Sequence, residues 1–188
     1  MRKIWNEELR DGTPVVIRPI NKSDAERERA FIEGLSPESR YFRFLQNMKH
    51  PSAELIRRFT EVDQKRDIAL VALMGAGKDQ RIVGVSRYSH CDDGDVCECA
   101  VTVADEWQGK GLGTLLMRHL IEMAREQGVE SLYSLDIAEN RPMQELAAHL
   151  GFQRSVDDDD PSLVEHRLEL RHFSGAQLNN RMDRRPHV

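Results

Sequence analysis

The run from Val101 to Thr114, VTVADEWQGKGLGT, constrains this chain most. Strand-like alternation ends near Ala104, three glycines stand at 109, 111 and 113, and apolar residues then recur at Leu112, Leu115, Leu116, Leu120 and Met123. That recurrence is helical spacing. A strand that turns through glycines straight into a helix must lay that helix on its own sheet, which predicts an α/β layer structure. Glycines let the backbone approach a ligand closely and turn its N–H groups inward. The first N–H groups of a helix lack partners within it, and the helix dipole adds positive potential there. The segment therefore reads as a phosphate cradle built mainly from backbone, or more plainly as a glycine-rich turn between strand and helix.

The spacing of the glycines sorts the phosphate ligands. A Walker loop needs four residues between its first glycine and Gly-Lys-Ser/Thr, and the chain has no such run. A dinucleotide fingerprint started at Gly109 would need a glycine where Thr114 stands. The pattern that fits is Gln-x-x-Gly-x-Gly, as Gln108, Gly111 and Gly113. About thirty residues on, after a strand-like Ser131–Ala138, comes Asn140-Arg141-Pro142 and a short helical run ending in Leu150-Gly151-Phe152. The two signatures, in this order, resemble the acetyl-coenzyme A site of the GNAT N-acyltransferase family. The resemblance covers roughly residues 14 to 170.

The remaining elements agree in order. Val15–Ile20 reads as a first strand, and Ser23–Glu26 as a capping box opening a helix to about Leu35. Helical pieces follow at Pro37–Leu45 and Ser52–Val62, then strands at Ile68–Met74 and Arg81–Tyr88. Asp92-Asp93-Gly94 reads as a hairpin turn into a long strand, Val96–Ala104. The helix after the cradle should end at Gly128. Two strands near Phe152–Val156 and Leu163–Leu170 close the pattern. The expected fold is mixed α/β (α+β), a central sheet of about seven strands with helices on both faces. The expected organisation is an extension over residues 1–13, one acyltransferase domain over 14–170 and a basic tail over 171–188.

Composition bounds the function. The 188 residues suit one domain, with 39% apolar and 31% charged residues. No apolar run approaches the roughly 18 residues of a membrane span. The start, Met-Arg-Lys-Ile-Trp-Asn-Glu-Glu, lacks the apolar core of a signal peptide. Net charge is −5, which argues against nucleic acid as a partner. The tail from Arg171 carries four Arg and one Asp and no periodicity, so it is expected to be mobile or loosely docked. The cysteines, Cys91, Cys97 and Cys99, are odd in number, which fits a reducing cytoplasm. Cys97 and Cys99 are expected to be packing residues, since no second Cys/His pair stands at zinc-like spacing, and no metal is expected.

On the long strand Cys97, Cys99, Val101 and Val103 share one face, and Glu98, Ala100 and Thr102 the other. Glu98 is the lone charge in an apolar or small stretch. It must be paired, for example with Arg87 on the neighbouring strand, or be open to solvent, or be functional.

The resemblance implies roles. Family enzymes of the protein-lysine type carry a Glu at the strand position of Glu98 as proposed general base. The backbone of Val101, Thr102 and Val103 would flank the pantetheine arm of acetyl-CoA, pairing with it like an added strand. Gln108, Gly109, Lys110, Gly111, Leu112, Gly113 and Thr114 would hold the pyrophosphate, Lys110 adding charge. Asn140 would contact the arm from the far side. The implied reaction is direct attack of a primary amine on the thioester in a ternary complex. One departure stands out. Many members carry a Tyr seven residues after the Asn as general acid, and here that residue is Ala147. Tyr133, Tyr88 or water could take its place, or the thiolate could leave unassisted, which a thiol pKa of about 8.5 makes tolerable.

For the acceptor, a protein lysine or a small cationic amine, the sequence offers two pointers. Leu35–Phe44 resembles the acceptor-side helix of bacterial protein-lysine acetyltransferases, although Tyr41, Phe42 and Phe44 would equally suit the buried face of an amphipathic helix. Asp157–Asp160 would border the acceptor mouth and attract a cation, or be a solvated turn. An acyl-CoA sensor without turnover, favoured by Ala147, and another nucleotide binder using the glycine loop are the competing readings. The oligomeric state is not legible.

Overall fold

The computed structural model describes residues 3–46, 48–90, 96–156 and 160–170. Its strands are β1 (Trp5–Glu8), β2 (Pro14–Pro19), β3 (Ile68–Met74), β4 (Arg81–His90), β5 (Val96–Val103), β6 (Ser131–Ile137), β7 (Gln153–Val156) and β8 (Leu163–Glu169). Its helices are α1 (Ala25–Gly34), α2 (Pro37–Phe44), α3 (Ala53–Thr60), α4 (Leu112–Glu126) and α5 (Arg141–Leu150). The strands form one mixed sheet in the order β1-β2-β3-β4-β5-β6-β8-β7. Every neighbouring pair is antiparallel except β5 and β6. A parallel pair needs a crossover, and α4 supplies it.

The mixed α/β architecture matches the sequence reading, with eight strands in the sheet against the expected seven or so. The additional strand is β1, whose Trp5 pairs with Ile17 and Glu8 with Pro14. Its sequence, WNEE, carries no apolar alternation because it is a short edge strand with little to bury.

Helices cover both faces. β3 is buried at every position, so it reads as a continuous apolar run. Ile68, Leu70 and Ala72 meet Leu112, Leu116 and Leu120 of α4, while Ala69, Val71 and Leu73 meet Phe31, Ile32 and Ile56 of α1 and α3. α4 lies so close to β4 that a Cβ on Gly84 would come within 2.8 Å of Leu116 Cδ1.

The entry to α1 differs from expectation. A short 3-10 turn, Lys22–Asp24, precedes the helix, and the reciprocal cap is made by Asn21 and Asp24 rather than begun by Ser23. Asp24 Oδ2 accepts from Asn21 N–H at 3.0 Å, and the same carboxylate holds Arg18 through two bonds of 2.8 and 2.7 Å. One buried carboxylate thus ties β2 to the start of α1. α4 ends as expected, with Gly128 at φ +81° just beyond its last turn.

Among the described residues, no helix is long and apolar enough to cross a membrane. The hairpin turn at Asp92–Gly94, the acidic residues Asp157–Asp159 and the tail 171–188 lie outside the described residues.

Candidate active site

The site begins where β5 and β6 part. Their pairing covers Val96 with Ser131, Cys97 with Leu132 and Glu98 with Tyr133, and goes no further. From Cys99 and Ser134 onward the strands diverge, although each remains bonded to its outer neighbour, β4 or β8. A cavity of about 940 Å³ occupies the opening, within the size range of small-molecule sites. It is lined by α2 residues such as Phe42 from one face of the sheet and by α5 residues such as Leu146 from the other. Phe44 and Leu146 belong to the cores on opposite faces, so the opening passes through the sheet.

The edge of β5 that faces this opening has no strand partner beyond Glu98 among the described residues. The N–H of Ala104 donates to Val83 O on the β4 side at 2.9 Å. Alternation along a strand then directs the N–H and C=O of Val101 and Val103 to the other side, into the opening. Thr102 lies between them with its side chain toward α1, and it too lines the cavity. The carbonyl of Val103 is capped by Gln108 Nε2 at 3.1 Å.

The cradle closes the far end. Gly109 and Gly111 have φ of +72° and +90°, the left-handed region open to glycine. Gly111 is the N-cap residue of α4 and has no side chain with which to cap it. The leading N–H groups of a 15-residue helix are therefore presented to the cavity, which Gly109, Gly111, Leu112, Gly113 and Thr114 all line. Gly113 also lets α5 approach: a Cβ there would lie 3.3 Å from Leu146 Cδ2. Asp105, just before the loop, accepts from Ser36 N–H at 2.9 Å, Ser36 Oγ at 2.6 Å and Ser39 Oγ at 2.7 Å, pinning α2 beside the cradle. Burial pushes the Asp105 carboxyl up, but these bonds outweigh it and hold it below the usual range.

The positive charge at the cradle is arranged differently from the motif. Lys110 is outside the cavity wall, with Nζ 4.5 Å over the Trp107 ring and 3.4 Å from Asp11. Arg10, in the turn between β1 and β2, lines the cavity instead. Its N–H donates to Lys110 O at 3.2 Å, and a Cβ on Gly111 would lie 3.4 Å from its Cγ and Nε. Sequence reading missed Arg10 because it sits a hundred residues from the cradle in a stretch without a motif.

At the near end Glu98 is exposed and lines the cavity, so its charge is solvent-linked rather than buried. Arg87 is not its partner: Arg87 Nη2 donates to Glu28 Oε1 at 3.3 Å behind the strand. Burial raises the Glu28 carboxyl above its ordinary value, with Arg87 acting against it, and burial lowers Arg87 to about 10. Glu38, Phe42, Arg43 and Phe44 of α2 line the same cavity, Phe44 also stacking on Phe59, whereas Tyr41 is half exposed and lies outside the wall.

The sulfur and phenol chemistry is restricted. Burial, with Asp136 and Glu98 nearby, pushes the Cys99 thiol up to about 12, so it offers no thiolate nucleophile. Tyr88 is fully buried, and burial also raises its phenol. Among the described residues neither Tyr88 nor Tyr133 lines the cavity, and Ala147 is packed in the core. Asn140 lines the cavity, and its Oδ1 caps α5 by accepting from Met143 N–H at 3.2 Å.

The strand pair parts over a glycine-built helix start, and comparison with known proteins gives the family. The pattern of the Acetyltransferase (GNAT) family matches residues 25–152. The chain is 48% identical over 166 residues to acetyltransferase PA5475 of Pseudomonas aeruginosa, covering 88% of this chain and 89% of that protein. It is 31% identical over 148 residues to acetyltransferase Pat of Mycolicibacterium smegmatis, covering 77% of this chain and 43% of that longer protein. The crystal structure of the GNAT domain of S. lividans PAT superposes with a TM-score of 0.81 at 28% identity, over 88% of this chain and 96% of that one. The chain belongs to the GNAT acetyltransferase family and is an acetyltransferase. The family uses acetyl-CoA as cosubstrate and acylates amines.

Proposed function

We propose that this chain transfers the acetyl group of acetyl-CoA to a primary amine, a protein lysine or a small cationic amine, by direct attack in a ternary complex. The observation that carries the reading is the parted β5–β6 pair, with Glu98 at its apex and the glycine cradle beyond its open end. Glu98 and Val103 stand five positions apart, roughly 17 Å of strand, a span suited to an extended arm between thioester and pyrophosphate. The pyrophosphate rests on the α4 start and the Arg10 guanidinium. The arm pairs with Val101 and Val103 as an added strand, and an N–H of this pair polarises the thioester carbonyl. The amine enters past Phe42 and Arg43 from the opposite face. Glu98 removes its proton directly or through water. Cys99, held as a thiol, supports direct attack over an acyl-cysteine intermediate. The implied setting is the cytoplasm.

A sensor that binds acyl-CoA without turnover draws support from one feature, Ala147 at the usual Tyr position. The test is thiol release from acetyl-CoA across a panel of lysine peptides, polyamines, aminoglycosides and amino acids. Acceptor-dependent release supports the enzyme reading. Tight acetyl-CoA binding with no release for any amine supports the sensor.

A further inference from the structure

Helix α2 and the residue that follows it carry two opposed apolar faces. Phe44 turns inward, stacked on Phe59 with ring centroids 6.2 Å apart and packed against the core of α1 and α3. Arg40 is buried on the same side, where its Nη1 donates to Glu33 O at 3.1 Å and to Leu35 O at 2.6 Å. Tyr41, Phe42 and Leu45 turn the other way. Counted from Glu38 they stand at i+3, i+4 and i+7, one stripe of a helix. Glu38, Phe42 and Leu45 line the cavity. Tyr41, between them on the stripe, lies just outside the wall, with its ring 6.4 Å from that of Phe42. None of the three apolar side chains belongs to either buried core.

This arrangement carries two costs. Leu45 takes φ +52° at the end of the helix, the left-handed region where glycine or asparagine sits without strain. Leu45 is also 47% exposed and Tyr41 50%. Two large apolar side chains thus stand in water one turn apart, tied by Leu45 N–H donating to Tyr41 O at 2.8 Å. Apolar side chains gathered at the mouth of a cavity mark a docking face, as scattered ones do not.

The patch is continuous with the reacting end of the cavity, since Phe42 and Leu45 share its wall with Glu98. Glu38 heads the stripe and lines the same cavity. Both carboxylates are exposed, which complements an ammonium ion. Arg43 lines the cavity from the inward side of α2, with its guanidinium 5.2 Å over the Phe44 ring. A ligand held wholly inside the cavity, whether a small amine or an acyl chain, does not reach Tyr41. A polypeptide does, when it inserts one side chain and rests the next on the rim.

We propose that Tyr41 and Leu45 dock the polypeptide around an acceptor lysine, seating a large apolar or aromatic side chain that neighbours the lysine in sequence while the lysine reaches Glu98. This rests on the acetyltransferase reading above and narrows its acceptor to a lysine in a polypeptide with an apolar neighbour.

The test compares short capped peptides, each with one central lysine flanked by Phe or by Ser, and Nα-acetyl-lysine methylamide as the smallest acceptor. In the wild type the Phe peptides should show a kcat/KM roughly tenfold to a hundredfold above the Ser peptides, the value of burying one apolar side chain. Tyr41→Ser and Leu45→Asn should each remove most of that ratio, and Tyr41→Phe should retain it. Asn accepts the left-handed backbone, so the melting temperature of Leu45→Asn should hold. Tyr41→Ser should turn over Nα-acetyl-lysine methylamide as the wild type does, with acetyl-CoA affinity unchanged. Fluorescence anisotropy of the same peptides on the coenzyme A complex reads the preference without turnover.

Equal Phe and Ser peptides in the wild type overturn the proposal, as does a ratio that survives both variants. Loss of hexanoyl-CoA turnover alone in the variants overturns it in favour of an acyl-chain seat. A wild-type dimer in sedimentation that the variants dissociate overturns it in favour of a second copy on the patch. Turnover of small amines but of no lysine peptide overturns it and leaves the acetyltransferase reading standing. Absence of turnover with every amine overturns that reading instead, and the anisotropy preference then decides the docking surface.

Discussion

Glu98 and Tyr133 form the last pair between β5 and β6, and beyond them the two strands of the sheet's one parallel pair diverge. The general-base candidate therefore stands at the apex of the opening. Its side chain is exposed to the cavity, and the guanidinium nearest in register, Arg87, is committed to Glu28. Replacing Glu98 by Gln removes a base without breaking an ion pair. The expected result is a fall in kcat of about 10²–10⁴, the usual loss for a general base, with melting temperature and acetyl-CoA affinity unchanged. The residual rate should climb with pH as free amine increases. A variant as fast as wild type at neutral pH, with chemistry rate-limiting, would place the base elsewhere.

Gly111 carries φ +90° at the N-terminus of α4. A side chain there costs about 1–2 kcal/mol for the left-handed backbone and pushes on Arg10, 3.4 Å away. Gly111→Val should abolish calorimetric binding of coenzyme A and lower the melting temperature only modestly. Equal affinity in the two proteins would mean that the cradle holds no phosphate.

Arg10 lines the cavity beside Gly111, while Lys110 is turned to Trp107 and Asp11. Arg10→Gln should weaken acetyl-CoA binding and flatten its dependence on salt, since exposed charges act over roughly a 10 Å screening length at 0.1 M salt. Lys110→Gln should have the smaller effect. The reverse order would show that the lysine swings in when coenzyme A arrives.

These residues also show what the sequence could and could not tell. The cradle, its helix and Asn140 are legible because glycines and caps obey local backbone rules. Continuous or alternating apolar runs gave the strands β2 to β6 for the same reason. β1 was not legible, because an edge strand of two exposed and two half-buried residues carries no pattern. Arg10 was not legible either. Its neighbours are fixed by how the sheet assembles, which is tertiary information. The helix cap moved from Ser23 to Asn21 because the chain makes a 3-10 turn before α1, where Asp24 meets both Asn21 and the Arg18 guanidinium.

Asp24 gives the fold an acid-sensitive tie. Burial raises its carboxyl, but hydrogen bonds from Arg18 and Asn21 outweigh that and hold it below its ordinary value of 3.8. A carboxylate with a lowered pKa stabilises the fold above the unfolded value and loses that stabilisation as pH falls through the folded one. The contribution of Asp24 should thus be complete above about pH 5 and vanish only below 3.8. Asp24→Ala should cost on the order of 2 kcal/mol near neutral pH, less than a fully buried pair because Arg18 and Arg27 keep solvent contact. Denaturant titrations of the two proteins should converge in strong acid. A constant difference down to that range would assign the loss to packing.

The account turns on acetyl-CoA entering the opening between β5 and β6, and amide hydrogen exchange with and without saturating acetyl-CoA tests this most directly. The predicted result is new protection at the N–H groups of Val101 and Val103 and at the start of α4 from Leu112 to Thr114. Ala104, already bonded to Val83, should be unchanged. Saturated binding that leaves Val101 and Val103 exchanging as in the free protein would contradict it.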